Sequence, residues 1–118
     1  MARILLVDDD NELLSLISEY LGAHGFQSEL ASSAAEARRR LEQSRFDVVL
    51  SDFNMPGESG LDLLSHIASR YPGLPFIMMS GSGYSSLKAE AMARGSAQFI
   101  PKPFEFREMV SLLQKTLA

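Results

Sequence analysis

The chain has no cysteine and only two histidines among its 118 residues. Without cysteine, disulfide bonds and thiolate metal sites are both excluded, and two histidines are too few to favour a zinc site. No apolar run approaches the roughly 20 residues that a membrane span needs, and no signal peptide precedes the first strand-like segment. We therefore expect a cytoplasmic protein that does not associate with the membrane.

The chain also has no excess of positive charge. It carries 11 Lys and Arg residues against 15 Asp and Glu residues, for a net charge of −4 at pH 7. A surface that neutralises phosphates is therefore not expected, which argues against direct nucleic-acid binding. Hydrophobic residues make up 46% of the chain, enough for a core and too many for a disordered protein. The length suits one domain, which we assign to residues 1–118.

Five strand-like segments alternate with five segments of helical spacing. Strands are predicted at 3–7, 26–31, 46–51, 74–80 and 98–101, and helices at 11–24, 33–44, 59–70, 85–94 and 104–117. This alternation predicts an α/β fold, in which helices cover both faces of a doubly wound parallel sheet. We expect the flavodoxin-like (βα)5 arrangement with strand order 2-1-3-4-5, an order taken from known proteins of this class and not from these residues.

Polar side chains stand where four of the predicted strands end. Asp8 and Asp9 follow the first strand, Asp52 follows the third, Ser80 ends the fourth and Lys102 follows the fifth. The carboxyl ends of parallel strands lie at one edge of a sheet, and strands 1 and 3 would be neighbours there. We therefore expect two or three carboxylates side by side, with a hydroxyl group and an amine close by.

Such carboxylates repel one another, by roughly 4 kcal/mol for a pair about 4 Å apart at an effective dielectric near 20. A bound Mg²⁺ ion would explain the cluster, because this ion prefers carboxylate oxygens, and Lys102 would add a positive charge. A simpler interpretation makes Asp10 a helix cap and leaves Asp8, Asp9 and Lys102 in solvent. We adopt the cap for Asp10. For the other residues, the agreement of four strand ends favours a site in which a carboxylate attacks a phosphoryl group.

Four motifs occur in order along the chain: Val7-Asp8-Asp9-Asp10, Ser51-Asp52-Phe53-Asn54-Met55-Pro56-Gly57, Met79-Ser80-Gly81 and Phe99-Ile100-Pro101-Lys102-Pro103-Phe104. Together they resemble the receiver domain of bacterial two-component response regulators, and the resemblance covers essentially the whole chain. It implies that Asp52 is the phosphoacceptor. It also implies that Mg²⁺ is held by Asp8, Asp9, Asp52 and the backbone carbonyl of Asn54.

The resemblance further implies a switch around the acceptor. The hydroxyl of Ser80 would turn to bond the phosphoryl oxygens, and Lys102, placed by a cis bond to Pro103, would form a salt bridge to them. The loop from Gly81 to Tyr84 would shift and Phe99 would rotate inward. Two residues limit this expectation: Phe99 lacks the hydroxyl of a tyrosine, and Pro101 removes a backbone donor from the fifth strand.

The implied phosphoryl donor is a sensor histidine kinase or a histidine phosphotransfer protein, which would dock beside Asp10 and Asn11 on the first helix. The surface of the fourth helix, fifth strand and fifth helix would serve a homodimer or a downstream effector, although ordinary solvated faces fit the residues equally well. No output domain is expected within the 118 residues. The chain would be no enzyme beyond catalysing its own phosphorylation and dephosphorylation.

Three alternatives stay open. A phosphatase of the haloacid dehalogenase type also uses aspartate, Ser or Thr, and Lys, but it carries its nucleophile in an Asp-x-Asp motif on the first strand. A flavodoxin-like cofactor carrier would need glycines and hydroxyls after the first strand, where this chain has aspartates. A receiver that no longer takes phosphate would be expected to lack Asp52, Ser80 or Lys102, and all three are present.

Overall fold

The computed structural model describes residues 1–81 and 84–118, without the side chains of residues 84 and 85. The strands are β1 Arg3–Val7, β2 Gln27–Ala31, β3 Val48–Asp52, β4 Phe76–Ser80 and β5 Gln98–Pro101. The helices are α1 Asn11–Ala23, α2 Ala34–Gln43, α3 Gly60–Arg70, α4 Tyr84–Ala93 and α5 Phe106–Leu117. The predicted alternation is confirmed, with boundaries that differ by up to two residues.

The five strands form one parallel sheet in the order β2-β1-β3-β4-β5, so the predicted flavodoxin-like order is confirmed. The edge strands are β2 and β5. Pro101 lies at the end of β5, where a missing backbone donor disturbs no second neighbour. In the register, Val7 of β1 pairs with Ser51 of β3, which brings the carboxyl ends of these strands together.

Two apolar cores form because successive side chains of a strand point to opposite faces of the sheet. On one face, Leu5, Val49 and Met78 pack with buried residues of α2, α3 and α4. On the other face, Leu6 and Leu50 pack with buried residues of α1 and α5. All five residues of β3 are buried, as expected for a central strand covered on both faces.

The third strand begins and ends later than predicted. It runs from Val48 to Asp52, so Asp52 belongs to the strand and is paired with Met79 of β4. The backbone that carries this carboxylate is therefore held within the sheet and does not belong to a loop. None of the helices in the described part of the chain has both the length and the apolar character required to cross a bilayer.

Candidate functional site

Three carboxylates meet at the carboxyl edge of the sheet. Asp8 and Asp9 follow β1, Asp52 ends β3, and one oxygen of each lies within 4.8 Å of the others. Asp8 is 1% exposed and Asp52 is 5% exposed, whereas Asp9 is open to solvent. The cluster therefore has a buried side formed by the sheet and an open side reachable from water.

The turn between β1 and α1 gives each aspartate a different role. One oxygen of Asp8, Oδ1, accepts the backbone N–H of Asp10 at 3.0 Å. The carboxylate of Asp10 in turn accepts the N–H of Leu13 at 3.0 Å, which caps α1, so the cap predicted for Asp10 is confirmed. The second oxygen of Asp8 remains available to the site.

Lys102 reaches this cluster from the end of β5. Its Nζ lies 2.7 Å from Oδ2 of Asp8 and 3.2 Å from Oδ1 of Asp52. Its backbone N–H donates to the carbonyl of Ser80 at 2.8 Å, and the peptide bond from Lys102 to Pro103 is cis. The simpler interpretation of Lys102 as a solvated side chain is wrong, since one ammonium group is shared by two buried carboxylates.

The site holds more negative than positive charge. Burial, followed by the charge of Asp8, raises the pKa of Asp52 above its ordinary value, even though the ammonium of Lys102 opposes the shift. Burial acts against the charged form of Lys102, but Asp8 and Asp52 outweigh it and raise the pKa of this amine. One cation cannot balance Asp8, Asp9 and Asp52, so the arrangement has capacity for another.

A cavity of about 570 Å³ opens over these groups. It is lined by Asp8, Asp9, Asp10, Asp52, Asn54, Met55, Pro56 and Lys102. The aspartates supply carboxylate oxygens, and Asn54 can supply a carbonyl oxygen. These hard oxygen donors fit Mg²⁺, with positions left for water or substrate. The predicted metal residues Asp8, Asp9, Asp52 and Asn54 thus all face one cavity.

The two residues assigned to the switch lie beside this site on β4 and β5. Ser80 is 4% exposed at the end of β4, and its strand partner is Pro101. Phe99 is 7% exposed and packs in the core that faces α2, α3 and α4. Its ring is thus already buried in this structure, and its inward rotation stays a prediction. The predicted shift of the loop from Gly81 to Tyr84 involves residues 82 and 83, which lie outside the described residues.

Sequence reasoning overlooked Gly60, the first residue of α3. A Cβ added there would lie 2.4 Å from the carbonyl oxygen of Asp52 and 2.8 Å from the Cα of Phe53. The N–H of Gly60 also donates to the carbonyl of Phe53 at 2.9 Å. Only glycine permits α3 to pack this closely against the backbone of the candidate acceptor. A glycine directly after the helix cap Ser59 was the signal that could have revealed it.

A family model described as "Response regulator receiver domain" matches residues 4–114. Among curated proteins, the chain is 39% identical over 114 residues to the response regulator protein FleR of Pseudomonas aeruginosa, covering 97% of this chain. It is 32% identical over 115 residues to the DNA-binding transcriptional regulator NtrC of Bradyrhizobium sp., covering 98% of this chain. The chain spans about a quarter of the length of these relatives, 24% in each case.

Solved structures give the same result for the fold. The chain superposes with a TM-score of 0.94 on a response regulator receiver domain protein from Clostridium thermocellum, at 28% identity and covering 99% of this chain and 94% of that one. It superposes with a TM-score of 0.93 on the chemotaxis protein CheY4 of Vibrio cholerae, at 31% identity and covering 99% of both chains.

Proposed function

This chain belongs to the family of response regulator receiver domains, and on that premise we propose that residues 1–118 are the phosphoryl-accepting receiver of a two-component signalling system. The observation that carries the proposal is the position of Asp52. It lies at the end of a central strand, in a cluster with Asp8 and Asp9, with the ammonium of Lys102 at 3.2 Å. A phosphatase of the haloacid dehalogenase type gains no support, because the second aspartate of its motif after β1 would be Asp10, whose side chain caps α1.

In the proposed reaction, an oxygen of Asp52 attacks the phosphorus of a phosphohistidine on a kinase or phosphotransfer protein. The new P–O bond replaces the P–N bond, and the imidazole leaves as neutral histidine after taking up a proton. The attack needs no histidine base in this chain, because an ionised carboxylate is already nucleophilic. Lys102 moves from pairing with carboxylates to pairing with the phosphoryl oxygens, so positioning and charge neutralisation do most of the work.

The same cavity would hold Mg²⁺ through Asp8, Asp9, Asp52 and the backbone carbonyl of Asn54. When bound, this ion would neutralise part of the negative charge that the carboxylates and the incoming phosphoryl group bring together. Asp9 provides the open side of the cluster, so the ion and the donor can approach from solvent. The buried carboxylate of Asp8 is already oriented by its bonds to Asp10 and Lys102.

Phosphorylation would replace the single negative charge of the Asp52 carboxylate with a phosphoryl group that carries about −1.5 to −2, and it would bring new acceptor oxygens. Ser80 and Lys102 are the groups proposed to bond those oxygens, and Phe99 is proposed to repack when Ser80 moves. The result would be a shift in population between two packings of the surface formed by α4, β5 and α5. That surface would serve a homodimer or a downstream effector, and the α1 surface beside Asp10 would dock the phosphoryl donor. A cytoplasmic location stays a prediction.

The test is incubation of the purified chain with Mg²⁺ and acetyl phosphate, followed by intact-mass measurement. The wild type should gain a single phosphoryl group and lose it once the donor is removed. Asp52→Asn should gain none. Asp62→Asn, which alters an exposed aspartate in the first turn of α3, is the matched control and should be labelled like the wild type. Equal labelling of Asp52→Asn would show that the acceptor is another residue.

A further inference from the structure

A cluster of three side chains joins α2 to α3 and to the segment between β3 and α3. Arg38 of α2 makes two bonds to Glu58: its Nε donates to Oε1 at 2.8 Å, and its Nη2 donates to Oε2. Its Nη1 also lies 3.1 Å from Nδ1 of His66 on α3. A guanidinium that pairs with a carboxylate in this two-bond geometry holds it in a defined orientation, unlike a single lysine contact.

Glu58 belongs to the connection that leads from Asp52 to α3. Within this segment, Asn54, Met55 and Pro56 line the cavity above the carboxylates. Gly57 then turns the chain with a φ of 80°, so that Glu58 faces α2. The segment has no regular secondary structure. Its path over the site therefore depends on its anchors, and the bond pair between Arg38 and Glu58 is one of them.

His66 must be neutral in this arrangement. A guanidinium only donates hydrogen bonds, so Nδ1 of His66 has to be the acceptor and its proton must sit on Nε2. The charged groups around the ring are Arg38 and Glu42 from α2, Glu58 from the connecting segment and Arg70 from α3. The ring of Tyr71 also packs against it edge to face, with centroids 6.1 Å apart.

Protonation of His66 would remove the acceptor and place a second cation beside the guanidinium. Burial, followed by the charge of Arg38, lowers the pKa of His66 below its ordinary value. The bonded arrangement is thus favoured near neutral pH, and acid should weaken it.

We propose that Arg38 is a positioning residue for phosphorylation at Asp52, holding the cavity-lining segment in place through Glu58, and that His66 makes this hold sensitive to protons. The inference rests on the proposed function, because the quantity it controls is the phosphorylation rate of Asp52. Neither Arg38 nor His66 touches the reacting groups, so both act through the position of the segment.

The first experiment compares Arg38→Met with Arg39→Met. Arg39 is the exposed neighbour on the same helix, and the described residues offer it no ion pair, which makes it the matched control. With acetyl phosphate and Mg²⁺, we expect Arg38→Met to be phosphorylated about tenfold more slowly. This is the low end of the loss seen when a residue that orients metal ligands is removed. Arg39→Met should match the wild type. Glu58→Gln, which keeps the shape but weakens the pair, serves if circular dichroism shows that Arg38→Met is unfolded.

Equal rates for folded Arg38→Met and Arg39→Met would overturn the positioning role. Failure of the proposed function would look different: the wild type would then not be labelled at all, or Asp52→Asn would be labelled equally.

The second experiment uses His66→Asn, whose Oδ1 can accept the bond from Arg38 but cannot take up a proton. The phosphorylation rate of the wild type is divided by that of His66→Asn at each pH, so that the titration of the donor and of the site cancels. We expect a ratio near one at about pH 7.5 and a fall of about threefold by about pH 5, below the ordinary range of histidine because the pKa of His66 is lowered. In an Arg38→Met background the fall should vanish. A ratio that stays flat would overturn the role of His66.

Discussion

The two ends of β1 carry ion clusters of opposite balance. Beyond its carboxyl end, one ammonium, that of Lys102, serves two buried carboxylates, Asp8 and Asp52. Towards its amino end, one partly exposed carboxylate, that of Glu29, is shared by the guanidiniums of Arg3 and Arg40. The first cluster lacks positive charge where water cannot easily compensate, whereas the second has positive charge to spare in contact with solvent.

This is the difference we expect between a site that acts on a ligand and one that merely tolerates charge. A half-exposed ion pair contributes little to stability, because solvent screens both partners. Buried carboxylates in excess of their cations destabilise the fold, so their presence indicates a ligand or a reaction that uses them. Neighbouring glycines differ in the same way: a Cβ added at Gly60 would overlap the backbone of Asp52, whereas one added at Gly22, near the end of α1, would have no described neighbour within 4 Å outside its own helix.

The glycines give the largest expected effect. Gly60→Ala should reduce the free energy of unfolding by about 3 kcal/mol, because the new methyl group would overlap the carbonyl of Asp52. Gly22→Ala should instead stabilise the protein by up to about 1 kcal/mol, since alanine is the better helix former and its methyl group would meet none of the described residues outside α1. Urea denaturation of both variants measures the contrast. Equal stability of the two would show that α3 does not constrain the backbone of β3 at Asp52.

Removing one cation from each cluster gives an intermediate effect. Lys102→Met should cost roughly 1.5–3 kcal/mol, because it leaves Asp8 and Asp52 without their charged donor. Arg40→Met should cost less than about 1 kcal/mol, since Glu29 keeps Arg3 and the Nε of Arg40 is buried with no hydrogen-bond partner among the described residues. Thermal unfolding at neutral pH compares the two variants. If Arg40→Met proved the more damaging, the proposed contrast between the clusters would have to be reversed.

The smallest expected effect is an increase in stability, in the variant Asp52→Asn. Because the pKa of Asp52 is raised in the folded state, the folded protein binds this proton more tightly than the unfolded chain does. The contribution of Asp52 to stability therefore falls as pH rises from its unfolded value through the raised folded value. Asp52→Asn should abolish that slope and, without Mg²⁺, be more stable at pH 7 by about 1 kcal/mol, a typical size for one substitution.

Adding Mg²⁺ sharpens this last comparison. A cation bound by the folded state stabilises it, and the wild type should gain more than Asp52→Asn because it retains all three carboxylates. The stability difference between the two proteins should then shrink or change sign. A wild type that is unaffected by millimolar Mg²⁺ in unfolding experiments would contradict the proposed metal site.

Much of the fold could be predicted because its signals are local. Apolar runs mark β1, β3 and β4, and glycine and proline mark the turns between elements, so the alternation needs no knowledge of distant contacts. The strand order was taken from known proteins. In the same way, Asp8, Asp52 and Lys102 could be grouped before any coordinates, because parallel strands must bring their carboxyl ends to one edge.

The sequence by itself determined which elements form and which chemical groups stand at their ends, since both depend on residues adjacent in the chain. Only the tertiary structure decided that Gly60 presses on the backbone of Asp52 and that Arg38 joins Glu58 and His66. Those contacts connect residues 8 to 28 positions apart. They depend on how α3 packs against β3 and beside α2, and the order of residues in the chain does not set those distances.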